Sequence, residues 1–359
     1  NLAIHLDGNG QPHKALQTAQ EATNLYRTLA EHNPAAYTPN LASSLNNLAA
    51  YLDGNGQPHK ALQTAQEAVT IRRKLAEHNP AAYTPDLAMS LNNLANRLAD
   101  NGQHHEALQT AQEATNLYRT LAKHNPAAYT PNLAKSLNNL ANRLADNGQH
   151  REALQTAQEA VTIRRKLAKH NPAAYTPNLA KSLINLANRQ AEHGRLDEAF
   201  QTAQEATNLY RTLAKHNPAA YTPNLAKSLN NLALRLAEHG RLDEAFQTAK
   251  EATNLFRPLT RHNPAAYTPD LAKSLNNLAN RLADNGQHHE ALQTAQEATN
   301  LYRELVRAHF RTFSSRFANA LETYKNILER SGNAKEAARI RQERNAVLKR
   351  MKEMEEDDA

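Results

Sequence analysis

An all-α solenoid of about eight antiparallel helix pairs is the fold class that this sequence predicts, on three observations. The heptapeptide Asn-Pro-Ala-Ala-Tyr-Thr-Pro occurs six times, beginning at Asn33, Asn79, Asn125, Asn171, Asn217 and Asn263, at a constant spacing of 46 residues. A period of this size marks stacked supersecondary units rather than one globule with one active site. Between the copies, apolar residues recur at helical spacing in two stretches per period. Glycine recurs between those stretches, at Gly10, Gly56, Gly102, Gly148, Gly194, Gly240 and Gly286, where a helix-ending turn is needed.

The period from Thr84 to Asn125 illustrates the unit. Thr84-Pro85 reads as a helix start, a hydroxyl N-cap followed by proline at the first helical position. Leu87, Leu91, Leu94, Ala95 and Leu98 form one face of a helix A of about 15 residues, which Asp100-Asn101-Gly102 ends. Helix B, of about 20 residues, buries Ala107, Leu108, Ala111, Ala114, Leu117 and Leu121 and stops before Asn125-Pro126. The heptapeptide is then expected to be a loop: Asn125-Pro126 caps one turn, Ala127-Ala128-Tyr129, before Thr130-Pro131 restarts helix A. Small residues at 95, 107, 111 and 114 let the helices approach closely. The tyrosines Tyr37, Tyr83, Tyr129, Tyr175, Tyr221 and Tyr267 are expected to plug this loop against the end of helix B, with ligand stacking as the alternative.

Departures from the period carry their own expectations. Helix B alternates between Thr-Asn-Leu-Tyr-Arg-Thr, at Thr23 and Thr115, and Val-Thr-Ile-Arg-Arg-Lys, at Val69 and Val161. This implies duplication of a two-unit block, and from Thr207 the alternation stops. Pro258 lies inside helix B of the sixth unit and predicts a kink or early end near Arg257. Gln190 replaces a leucine on the buried face and is unfavourable unless its amide is satisfied. The next glycine step lands on Gly332, with Leu328 and Ala337 in the places of Leu282 and Ala291, so an eighth, degenerate unit is expected. There Phe310, Phe313 and Phe317 replace the loop with denser apolar contact. Arg341 and Arg344 give the last helix, about Ala334 to Met354, the polar face of an end cap. The domains are therefore residues 1–307, a repeat array whose first repeat is truncated, and residues 308–359, a degenerate repeat with a capping helix. Asn1-Leu-Ala aligns with Asn47-Leu-Ala, inside a helix, so more protein is expected upstream.

Bulk composition narrows the function classes. The net charge is +7, but 42 basic residues are interleaved with 35 acids, and only the tail from Glu353 to Asp358 is a run of one sign. Such a mild excess reads as solubility rather than nucleic-acid affinity. Cysteine is absent, which removes any disulfide framework and suits a reducing compartment. No apolar run approaches the roughly 20 residues of a membrane span. The 17 histidines include the pairs His104-His105 and His288-His289, but adjacent histidines in a turn point apart, so no metal site is expected. No phosphate loop, zinc-protease motif or nucleophile elbow occurs. No catalytic residue and no cofactor are expected.

The run Leu91, Leu94-Ala95, Leu98, Gly102, Glu106-Ala107 resembles the tetratricopeptide repeat. Pro85-Asp86-Leu87-Ala88-Met89-Ser90-Leu91-Asn92-Asn93-Leu94-Ala95 is similar to the long repeats of kinesin light chain, with a period lengthened to 46. Loop-extended repeats of this kind resemble sensor arrays of large bacterial signalling proteins. The resemblance implies a right-handed superhelix whose A helices line a concave groove, and a scaffold that binds proteins rather than an enzyme.

A polar stripe lies on helix A, away from helix B. Lys135, Asn138, Asn142 and Asp146 fall within about 80° of one another at 100° per residue. The same register holds Lys181, Ile184, Asn188 and Glu192; Lys227, Asn230, Leu234 and Glu238; and Lys273, Asn276, Asn280 and Asp284. Earlier units give Met89, Asn92, Asn96 and Asp100, and Ser43, Asn46, Ala50 and Gly54. An asparagine amide both donates and accepts, so a ladder of them grips a peptide backbone without demanding a sequence; asparagines of helix A serve so in grooves that this one resembles. Lysines at the rim favour carboxylates, while Ile184 and Leu234 offer apolar contact. The alternative is a solvated face copied by duplication. A neighbouring row, Arg97, Arg143, Arg189, Arg235 and Arg281, reads as ion pairs with acids such as Glu106 or Glu152, and otherwise as phosphate ligands. The expected function is a cytoplasmic, non-catalytic scaffold binding a peptide or protein segment, the sensor or adaptor part of a larger bacterial protein. The alternatives are a nucleic-acid-binding or self-associating solenoid.

Overall fold

The structure, a computed structural model, describes residues 2–8 and 10–356. Asn1 and the end of the acidic tail, Asp357 and Asp358, lie outside the described residues. About 91% of the chain is helical, and no strand occurs among the described residues. Two compact units form, residues 1–195 and 196–359. The first contains α1 (Leu2–Gly8), α2 (Pro12–His32), α3 (Pro34–Gly54), α4 (Pro58–His78), α5 (Pro80–Asp100), α6 (His104–His124), α7 (Pro126–Asp146), α8 (His150–His170) and α9 (Pro172–Glu192). The second contains α10 (Leu196–His216), α11 (Pro218–Glu238), α12 (Leu242–His262), α13 (Pro264–Asp284), α14 (His288–Ala308), α15 (Phe310–Arg330) and α16 (Ala334–Glu356). Odd-numbered helices are the A helices of the sequence reading, and even-numbered ones are the B helices.

The heptapeptide is not a loop but the start of helix A. From α3 to α13 each A helix has 21 residues, not about 15. Asn125 is the N-cap of α7, its Oδ1 accepting from the Ala128 N–H at 3.2 Å, and Pro126 occupies the first helical position. Two start signals compete here. The earlier one prevails because the two alanines between them favour helix. Pro131 then lies inside the helix, and the carbonyl it leaves without a donor, that of Ala127, belongs to an exposed residue that water reaches. Tyr83, Tyr129 and Tyr267 are half-buried against the leucines of the neighbouring core.

The A-to-B turn follows the sequence expectation. At Gly102 the backbone takes φ 77°. Its N–H donates to the Ala99 carbonyl at 3.0 Å, and the Gln103 N–H donates to the Leu98 carbonyl at 2.9 Å, the Schellman pattern. No atom lies within 4 Å of a Cβ built there, so the requirement for glycine is conformational rather than steric. The α15–α16 turn repeats this at Gly332, with the Asn333 N–H on the Leu328 carbonyl at 2.9 Å. The eighth pair is therefore present, and Leu328 and Ala337 are both buried.

Pro258 does not end its helix early: α12 runs from Leu242 to His262 at the same 21 residues as its counterparts. Pro258 and Asn254, whose carbonyl loses its donor, are both exposed, while Phe256 is fully buried and anchors the turn. His104 and His105 open α6 rather than lying in the turn. Gln190 is buried, as are the leucines at its register. Beyond α14, Phe317 is buried, and Arg341 and Arg344 of α16 pair with Glu329 at 2.7 Å and Glu322 at 3.1 Å.

Within each unit, helices pack on their sequence neighbours through leucine and alanine; Ala107, Ala111, Ala114 and Leu137 have no exposed surface. Successive A helices also touch, α3–α5–α7–α9 in the first unit and α11–α13–α15 in the second, whereas no two B helices come as close. Each unit therefore curves with its A helices on the inner side. The B helices are linked at their surface by arginine–glutamate pairs 40 residues apart: Arg27–Glu67, Arg73–Glu113 and Arg119–Glu159, then Arg211–Glu251, Arg257–Glu297 and Arg303–Glu343, at 2.5–2.7 Å. Each such half-exposed pair contributes little to stability.

Candidate functional site

The A-helix wall is built around a polar seam. Ser44, Ser90, Ser136, Ser182, Ser228 and Ser274 are all buried. Where helix B carries threonine at the facing position, hydroxyl meets hydroxyl: Thr23 with Ser44 at 2.8 Å, Thr115 with Ser136 at 2.9 Å, Thr207 with Ser228 at 2.8 Å and Thr253 with Ser274 at 2.9 Å. Thr115 is able to donate its proton to Ser136, which leaves the serine its own proton to give.

That choice orients the asparagines of the preceding A helix. Ser136 and Ser274 donate to Oδ1 of Asn92 and Asn230, each at 3.1 Å. In the units where Val69 and Val161 replace threonine, the serine accepts instead: Nδ2 of Asn46 and Asn138 donates to Ser90 and Ser182, each at 2.6 Å. Asn138 also accepts from Asn185 Nδ2, through its carbonyl at 3.0 Å. Asn276 has lost this role. The next unit carries alanine, Ala320, at the serine register, and the buried Oδ1 of Asn276 has no hydrogen-bond partner.

The predicted stripe therefore divides into two rows. Asn46, Asn92 and Asn230 are buried, Asn138 and Asn276 are half-buried, and four of these five amides bond to the next A helix. Asn96, Asn142, Asn188 and Asn280 are half-buried, as is Ile184; Asn280 donates to Thr323 at 3.5 Å. Lys135, Lys181, Lys227, Lys273 and Asp146 are exposed, and Leu234 and Met89 are 41% and 40% exposed. Lys227 pairs with Asp270 at 2.8 Å. Asp146 pairs with Arg143.

The arginine row is ion-paired, but not to Glu106 or Glu152. Arg143–Asp146 at 3.3 Å, Arg189–Glu192 at 2.9 Å, Arg235–Glu238 at 2.8 Å and Arg281–Asp284 at 3.3 Å join residues three apart on one helix, and Arg97 reaches both Asp53 and Asp100. These side chains are only 8–17% exposed. They lie in the seam between repeats, where a phosphate backbone has little access to them.

Two cations escaped the sequence reading. At one register helix B buries Tyr118, Tyr210, Phe256 or Tyr302, but α4 and α8 bury Arg72 and Arg164, 2% and 6% exposed. Arg72 is held by Asp86, Nη1 to Oδ2 at 2.8 Å, and donates from Nη2 to Ser43 Oγ at 2.5 Å. Burial lowers its pKa and Asp86 opposes the shift. Burial likewise lowers that of Arg164, with the Tyr175 phenol as the opposing influence. Burial pushes the phenols of Tyr118, Tyr210 and Tyr302 up to about 12. The tyrosine–arginine alternation was the available signal, but spacing does not say that the register is buried.

A family model, the tetratricopeptide repeat, matches residues 41–81, 87–126, 133–172, 225–255 and 271–310, together just over half of the chain. No curated protein matches it. Among solved structures, BtubC (BKLC) from P. vanneervenii is 18% identical, with a TM-score of 0.54 over 68% of this chain and 91% of that one. A Rap protein complexed with competence and sporulation factor is 13% identical, with a TM-score of 0.59 over 98% of this chain and 97% of that one. A signal transduction ATPase with numerous domains and a tetratricopeptide repeat sensor, from Pyrococcus horikoshii, is 13% identical, with a TM-score of 0.55 over 96% of this chain and 52% of that one. At such identities these likenesses concern the fold.

Proposed function

We propose that this chain, which belongs to the tetratricopeptide repeat family, is a non-catalytic scaffold that binds an extended or partly helical peptide segment along its A helices. The supporting observation is the two-row division of the stripe. One asparagine row joins successive A helices into a wall, and beside it run half-buried amides and exposed lysines. In the first unit the proposed binding residues are Asn96, Lys135, Asn142, Lys181, Ile184 and Asn188; in the second they are Lys227, Leu234, Lys273 and Asn280. Amides take the peptide backbone, lysines take acidic groups as point charges, and Ile184 and Leu234 take apolar side chains. The Rap structure, complexed with competence and sporulation factor, and the sensor-bearing ATPase support a sensor or adaptor role in a larger protein. The absence of cysteine supports the cytoplasm; no described helix is long and apolar enough to cross a membrane.

Random peptides displayed on phage, selected on the full chain, test this reading. Binders are expected, and Asn96→Ala with Asn142→Ala, or Leu234→Asp, should weaken the captured peptides by about 10-fold or more, since each lost backbone bond is worth about 1 kcal/mol. Unchanged capture by all these variants at unchanged helicity would sink the groove assignment.

A further inference from the structure

We infer that Arg164 forms the floor of a carboxylate subsite in the first unit, taking an acidic side chain of the bound peptide. This rests on the groove reading above. Arg164 is 6% exposed, and no carboxylate, hydroxyl or carbonyl among the described residues bonds to it. Its repeat twin shows what a guanidinium in this slot requires. Arg72, two periods earlier, holds the Asp86 carboxylate at 2.8 Å and the Ser43 hydroxyl at 2.5 Å. The register puts Asn178 where Asp86 stands and Lys135 where Ser43 stands. The anion has become a neutral amide and the hydroxyl an ammonium, so the site is charged on one side only.

Burying a guanidinium without its anion is costly, and a second cation at the rim raises that cost. A carboxylate from outside removes the imbalance. The terminal nitrogens of Arg164 keep some contact with solvent, only its Nε being sealed without a partner, whereas in Arg72 Nη1 is sealed as well, against Asp86. The terminal nitrogens are those that grip a carboxylate in two-pronged fashion, and Arg72 shows that a guanidinium in this register reaches a carboxylate, at 2.8 Å. Ser43 and Lys135 belong to the same A-helix stripe as the proposed peptide contacts, so the subsite opens where the peptide lies.

The test uses the full chain and phage-displayed random peptides as the probe, followed by synthetic copies of the selected peptides with each acid changed to its amide. Peptides with aspartate or glutamate at one fixed position are expected, and the acid-to-amide change should weaken binding by about 10-fold or more, as for a hydrogen bond to a charged group. Arg164→Tyr installs the residue native to this register in α6 and α10, and acid and amide peptides should then bind alike. Asn178→Asp supplies the carboxylate from within. It should abolish the same preference and raise the melting temperature, which separates a lost subsite from a misfolded variant. An acid preference that survives both substitutions, or selected peptides with none, overturns the Arg164 assignment while leaving the groove standing. Failure to select any peptide overturns the groove reading and the subsite with it. Saturable binding of sodium acetate without an acid preference among the peptides assigns the slot to a free carboxylate and overturns the peptide assignment.

Discussion

At one register of helix B, α6 buries Tyr118 and α4 buries Arg72, on backbones of the same length and cap. Tyr118 needs little more than apolar contact: its ring packs with Leu133, Leu137 and Tyr129 of α7, and its hydroxyl is 3.4 Å from the Pro85 carbonyl of α5. Arg72 depends on two other helices, α3 for Ser43 and α5 for Asp86. The difference shows that a repeat which exchanges its aromatic residue for a charge leaves that charge without its opposite unless neighbouring repeats change with it. Arg164 is the case where they have not.

The widest separation between the two kinds of slot is expected at high pH. The phenols of Tyr118, Tyr210 and Tyr302 titrate near 10.0 when solvated and near 12 when folded, because burial disfavours the phenolate. Their stabilisation is complete below pH 10.0. It is lost as pH rises toward 12, since the unfolded chain releases its protons first. Circular dichroism melts across this window should show the wild type losing stability, and a Tyr118→Phe, Tyr210→Phe, Tyr302→Phe variant losing distinctly less. Equal slopes would remove the phenols from the explanation.

A transplanted charge should be the next largest effect. Tyr118→Arg places a guanidinium opposite Met89 and Asn132, with no acid at either position, and should cost about 3 kcal/mol. Adding Asn132→Asp should recover at least about 1 kcal/mol, read from hydrogen exchange of α6. In the opposite sense, Asp86→Asn turns the Arg72 slot into a copy of the Arg164 slot. It should cost about 1–2 kcal/mol, moderated because Asp86 is 43% exposed. If Asp86→Asn costs nothing, the contrast between Arg72 and Arg164 carries no energy.

The seam asparagines give the smallest and sharpest contrast. Asn92→Ala removes an acceptor from a buried serine and should cost about 1 kcal/mol. Asn276→Ala removes an amide whose carbonyl has no partner and should be close to neutral. Urea titrations of the two variants side by side decide this.

Pairing of helices, the turn glycines and the eighth unit are legible along the chain, because periodicity and a left-handed φ are local demands. The heptapeptide misleads for a local reason as well: two proline-bearing start signals lie five residues apart, and either one can open a helix. The stripe was legible as a stripe, but not the fact that one of its asparagine rows is consumed by the wall itself. A position on a helical wheel tells which residues share a face, whereas a face has edges, and the edge toward the next repeat is closed. The arginine row illustrates the same limit: its pairing was expected, yet the partners lie three residues on along the same helix rather than at the start of helix B.

Composition and the 46-residue period settle that the chain is a stack of helical hairpins, since every unit repeats the same short-range instructions. Which polar group meets which is settled elsewhere. Ser136 gives its proton to Asn92 because Thr115 faces it, and Ser90 accepts from Asn46 because Val69 does. Such choices depend on atoms that stacking brings together across tens of residues, where each proton can be given only once and each buried charge must find its opposite.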